Sequence, residues 1–172
     1  MLLNRSASGR PAAQIYFKYH ADGLSVSSAA DEVTVDSLSV FIAEREGTLP
    51  TGVSIEGISA MLESDNTLRL YLGINGIEPS GLNFAIDGKK SDLKQRSDGK
   101  YYLALDKGVY SNHLQNTHTY TVSDGTEDGT YTITASVLTY ARSCVIKSGV
   151  NEINLGKTLY LYNQAAVAAF GD

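Results

Sequence analysis

Tryptophan is absent from this chain of 172 residues, and cysteine occurs once, at Cys144. One thiol excludes an internal disulfide. With Val145 and Ile146 beside it, Cys144 reads as a small buried apolar residue rather than a reactive group. Charge is sparse as well: charged residues make up 19 % of the chain, and the formal net charge is −5. An acidic balance leaves no electrostatic case for nucleic acid as a partner. No apolar run approaches the roughly 20 residues that a membrane-spanning helix needs. The opening stretch, "MLLNRSASGRP", has only three apolar residues before it turns polar, too few for the apolar core of a signal peptide. Two settings remain: a cytoplasmic protein, or a piece of a longer exported one.

What is present suits a folded domain with a real core, since hydrophobic residues make up 42 % of the chain. Its aromatics are 11 Tyr and 4 Phe, and tyrosine is a strand former whose hydroxyl tolerates the water edge. The middle of the chain alternates. "TLRLYLGI" sets Leu68, Leu70, Leu72 and Ile74 on one face and Arg69, Tyr71 and Gly73 on the other, which predicts a strand. "DEVTVDSLSVFIA" alternates too, with a change of parity at Asp36-Ser37, and predicts two strand segments. "VSIEGISAML" changes parity at Gly57, a residue suited to a bulge. "LNFAIDGK" and "KYYLALD" flank a polar stretch with turns at both ends. In "HTYTVSDGTEDGTYTITA", a hairpin that pairs Tyr120 with Ile133 and Val122 with Tyr131 puts all four on one face.

The period changes at Ser136. Val137, Leu138, Ala141, Cys144 and Val145 recur at helical spacing, with Ser136 as N-cap and Gly149 past the end. Ile153, Leu155, Leu159, Tyr162, Ala166 and Phe170 then mark a second amphipathic helix. Its alanines would let it lie close to a neighbour while Leu159, Tyr162 and Phe170 enter the core. "PAAQIYFKYHADG" near the start partly repeats "QAAVAAFGD" at the end, which predicts an N-terminal helix over Pro11–His20. Residues 1–23 then read as the end of a preceding unit, and residues 24–172 as the main domain.

"GISAMLESDNTLRLYLGI", "FAIDGKKSDLKQRSDGKYYLAL", "YTITASVLTYARSCV" and "GKTLYLYNQAAVAAF" follow one another in this order. Together they resemble a module of uncharacterised function in large secreted or wall-attached proteins of Gram-positive gut anaerobes. In that module a β-domain ends in a helix pair, the last helix carrying a signature like "ALYLYNQAA". The resemblance implies an extracellular or cell-wall location, with neighbouring domains of the parent protein as partners. It brings no catalytic residues.

The residues mark no active site of their own. His113 and His118 stand five apart in "HLQNTH", not the spacing that sets two ligands on one helix face. "SDGTEDG" groups Asp124, Glu127 and Asp128 in one loop, but lacks the full calcium-loop pattern and reads more simply as a turn. Glu32, Asp36, Glu56 and Asp87 look like ordinary strand-edge charges. Tyr71, Tyr101, Tyr102 and Tyr110 are candidates for stacking on sugar rings wherever they face outward. The expected fold is mainly β (α+β): an antiparallel immunoglobulin-like sandwich of about six to eight strands with a C-terminal helix pair. The expected function is a non-catalytic extracellular module, acting as spacer, adhesion unit or ligand display, with no cofactor. A carbohydrate-binding module that takes a polysaccharide is the alternative, and a polysaccharide-active enzyme is the third reading.

Overall fold

The computed structural model describes residues 28–62, 66–147 and 149–171. The expected helix over Pro11–His20 and the boundary at residue 23 lie outside them.

Two antiparallel sheets and two long helices make up the described residues. In chain order the strands are β1 (Glu44–Gly47), β2 (Val53–Leu62), β3 (Asn66–Ile74), β4 (Asn83–Ile86), β5 (Lys89–Lys90), β6 (Lys94–Gln95), β7 (Tyr101–Ala104), β8 (His118–Ser123) and β9 (Thr130–Ala135). One sheet has the order β1-β9-β8-β4-β5 and the other β2-β3-β7-β6. The inward residues are the apolar members of each alternation. Leu68, Leu70 and Leu72 of β3 meet Tyr120 and Val122 of β8 and Ile133 of β9 in one core. The hairpin has the expected register, Tyr120 opposite Ile133 and Val122 opposite Tyr131. On its outer side, Thr119 and Thr134 share a hydroxyl hydrogen bond of 2.8 Å, and Ser123 and Thr130 one of 2.7 Å. These cross-strand pairs support the ladder from the wet face. The parity change at Gly57 is a bulge: the β2–β3 register shifts between Ile55 and Gly57. Glu56 is the extra residue, which keeps both Ile55 and Ile58 directed at the core.

One stretch differs from expectation. Residues 33–42 form no strand; they contain a 3-10 turn, Asp36–Leu38. Val33 and Leu38 are buried, but one turn of tight helix brings both to the core where a strand would need two segments. Val40 and Ile42 are exposed.

After a short helical turn, α1 (Ser28–Asp31), the remaining helices close the chain: α2 (Val137–Ile146) and α3 (Val150–Phe170). Ser136 caps α2 as expected. Its hydroxyl accepts the Thr139 amide at 3.1 Å, while the Thr139 hydroxyl accepts the Ser136 amide at 3.0 Å. This is a reciprocal box with threonine in the place glutamate usually takes. The second helix packs on α2 and on a turn at Ser111–His113, and α2 also meets β2. Leu159, Tyr162 and Ala166 are buried, but Phe170 is 48 % exposed and does not enter the core. No helix among the described residues is long and apolar enough to cross a membrane.

Candidate functional site

The structure distributes the four candidate tyrosines over three places. Tyr71 on β3 and Tyr102 on β7 are direct cross-strand partners on the outer face of the second sheet. Their ring centroids lie 5.8 Å apart. Because β7 alternates, Tyr101 must face the other way; it packs against the core and reaches the rim of a cleft between the sheets. Tyr110 is 48 % exposed midway along the β7–β8 connection, where its ring meets His113 edge-on at 6.0 Å.

The Tyr71–Tyr102 pair is flanked by two arginines. The Arg69 guanidinium lies 4.7 Å from the Tyr102 ring centroid, and that of Arg96 lies 5.9 Å from the Tyr71 ring. An Arg96 N–H also points at the Tyr71 hydroxyl at 3.5 Å. Partial burial pushes the Tyr71 phenol upward, but hydrogen bonding and charge from Arg69 and Arg96 together outweigh it and hold the phenol below the ordinary tyrosine value. Arg96 pairs with Asp98 at 3.4 Å. The Arg69 Nε is buried and has no hydrogen-bond partner among the described residues. The result is a row of two cations and two rings on a rigid sheet, able to stack and to donate hydrogen bonds. Arg69 and Tyr71 share a parity in "TLRLYLGI", so the sequence placed them together; Arg96 comes from a loop beyond β6 and carried no such signal.

The cleft that Tyr101 lines is broad, about 780 Å³, and its rim carries Asn83, Asp92 and Gln95. These are the amide and carboxylate groups that commonly accompany an aromatic in a sugar site. A second cleft, about 360 Å³, opens at the end of the molecule between the β4–β5 turn and the β7–β8 connection. There Asp87 and His118, which the sequence offered as unremarkable surface residues, form a pair: His118 Nδ1 stands 2.8 Å from Asp87 Oδ2. Asp87 Oδ1 accepts the Thr119 amide at 2.8 Å. Partial burial works against the Asp87 charge, but His118, the Thr119 amide and nearby Lys89 overcome it and leave its carboxyl below the ordinary value.

Asp124 serves its own turn. One carboxylate oxygen accepts both the Thr126 hydroxyl at 2.7 Å and the Thr126 amide at 2.9 Å. The Thr126 hydroxyl, then its amide, hold the Asp124 carboxyl low. Glu127 and Asp128 are exposed on the same loop, and among the described residues no group of three His, Cys, Asp or Glu side chains could hold a metal ion. Cys144 is buried in α2, and that burial pushes its thiol up, away from the reactive thiolate.

Comparison with protein-family models, with curated proteins and with solved structures finds no match.

Proposed function

We propose that this chain is a non-catalytic extracellular module of a larger cell-surface or secreted protein, and that it holds a protein partner on the outer face of its second sheet. The observation that carries the reading is the Arg69–Tyr102–Tyr71–Arg96 row. Tyrosine and arginine are among the residues that dominate binding energy at protein interfaces, tyrosine through a large rigid ring and arginine through a fork of directed hydrogen bonds. Arg69 has no carboxylate among the described ion pairs, so the complementary partner surface is acidic. The carboxylates that could have suggested catalysis have local duties, Asp124 in its hairpin and Asp87 at the β4–β5 turn. The arrangement of the two stacked sheets is read as immunoglobulin-like, a scaffold that commonly presents such faces.

Carbohydrate binding is the second reading. It is favoured by Tyr101 at the rim of the cleft with Asn83, Asp92 and Gln95. One experiment separates the two: an array carrying purified extracellular proteins beside polysaccharides, probed with the wild type and two variants. Binding to a protein spot that Tyr71→Ala/Tyr102→Ala abolishes and Tyr101→Ala spares supports the first reading. Glycan binding lost only in Tyr101→Ala supports the second. Binding unchanged in both variants overturns both assignments.

A further inference from the structure

The cleft at the end of the molecule is lined by Lys89, Lys90 and Lys107, together with His113 and His118, in a chain whose formal net charge is −5. Among the described residues only two carboxylates line it, Asp87 and Asp106. Asp87 is already engaged through both oxygens, by His118 and by the Thr119 amide. The positive charge is therefore in local excess where the molecule as a whole is acidic. We propose that this cleft binds a small phosphate-bearing anion.

The walls are built before any ligand arrives. On one side, Lys89 and Lys90 follow a two-residue turn in which Asp87 and Gly88 both have positive φ, 51° and 72°. That conformation is the tight hairpin turn that favours an Asp-Gly pair. The Asp87 amide donates to the Thr119 carbonyl at 2.8 Å, so the turn is tied to β8 through main chain and side chain at once. On the other side, the Val109 amide donates to the Asn66 carbonyl at 2.6 Å, and the Asn66 side chain donates back to the Val109 carbonyl at 3.2 Å. Asn66 is 8 % exposed, and this double bond fixes the connection that carries Lys107. Ile86 and Val109 form an apolar floor. A site whose walls are set in advance loses little entropy on binding.

Lysines favour a compact dianion over a planar monoanion. An ammonium acts as a point charge, whereas bidentate recognition of a carboxylate is the work of arginine, and among the described residues no arginine lines this cleft. Tyr110 and Asn116, whose side chains carry neutral donors, line the same space.

The test is a titration of the full chain, labelled with ¹⁵N, using inorganic phosphate as the probe and galacturonate as the carboxylate arm. Phosphate is expected to saturate with a dissociation constant of about a millimolar or tighter, shifting the amides of Lys89, Lys107 and Gly108. Lys90→Gln/Lys107→Gln should weaken it by about tenfold without moving the melting temperature, since both side chains are exposed. Lys94→Gln/Lys100→Gln, away from the cleft, should leave it unchanged. Shifts that never saturate, or an equal loss in the two double variants, would show general charge attraction and overturn the site. Galacturonate binding as tightly as phosphate would overturn the assigned class.

Discussion

Tyr120 on β8 donates its phenolic hydrogen to the main-chain carbonyl of Leu68 on β3, at 2.9 Å, and so bolts one sheet to the other through the centre of the core. The side chain is fully buried, and burial holds its phenol well above the ordinary tyrosine range. The same carbonyl accepts the Leu105 amide, but at 3.4 Å. Replacing Tyr120 by Phe keeps the ring and leaves the carbonyl with the longer bond from Leu105. The expected loss is about 1–2 kcal/mol of unfolding free energy, measured by denaturant titration. An unchanged midpoint would mean that the hydroxyl contributes nothing net.

Gly156 lies where the two long helices come into close contact. A Cβ there would collide with the Ala141 carbonyl oxygen and stand 2.7 Å from Val145 Cγ2 and 3.1 Å from Cys144 Cβ. Two effects oppose each other in Gly156→Ala. Helix propensity favours alanine by about 1 kcal/mol, whereas overpacking against a main-chain atom costs about 1–3 kcal/mol or more. The clash should win, because a carbonyl inside a helix cannot turn aside. A raised melting temperature in Gly156→Ala would show the helices to be farther apart than described.

How much of this could be read in advance depends on whether a signal was local. The hairpin register, the bulge at Gly57 and the cap at Ser136 each follow from residues within one short stretch of chain. Each has the physical pattern on its own segment: alternation, a parity change, a hydroxyl before an apolar period. The Asp87–His118 pair joins residues 31 apart and depends on β4 pairing with β8, which no local pattern reports. Neighbouring Tyr101 and Tyr102 had to face opposite ways, but which one faced out waited on β7 pairing with β3. Residues 33–42 misled because their apolar spacing suits two strand segments as well as a turn of tight helix. The helix–helix approach was expected from the alanines of α3; Ala165, Ala168 and Ala169 turn out exposed, and Gly156 makes the close contact.

The Asp87 carboxyl carries a pH signature. Its folded value is lowered, so its stabilisation is present in full above the ordinary carboxylate value and is lost as pH falls through the folded one. The window therefore lies below about pH 4. Its side chain is 46 % exposed, so solvent screens the pair and the effect should stay below about 1 kcal/mol. Asp87→Asn keeps a residue that tolerates the positive φ and a side-chain oxygen for the Thr119 amide, but removes the charge. Unfolding free energies of wild type and variant should differ at about pH 5 and converge toward about pH 2. A difference that persists at the acid end would assign the effect to the turn rather than to the charge.

The last helix belongs to the fold up to a definable point. Ending the chain after Gly156 removes Leu159, Tyr162 and Ala166, all buried. It also removes Asn163, whose amide donates to the Ser111 carbonyl at 2.9 Å and to the Gln115 side chain at 2.7 Å. At about 1.5–3 kcal/mol for each large side chain, Leu159 and Tyr162 alone approach the lower end of a domain's whole stability. That chain should lose its cooperative melt and bind hydrophobic dyes. Ending after Val167 removes only residues that are exposed among those described, Phe170 included, with the main-chain bonds of the last turn, the Gly171 amide to the Val167 carbonyl at 2.8 Å among them, and a side-chain bond from the Asn112 amide to the Gly171 carbonyl at 3.0 Å. It should cost no more than about 1 kcal/mol. Calorimetry on the two shortened chains decides the matter. A cooperative transition at the full-length temperature after the Gly156 cut would make the helix an appendage. A collapse after the Val167 cut would restore Phe170 to a structural role.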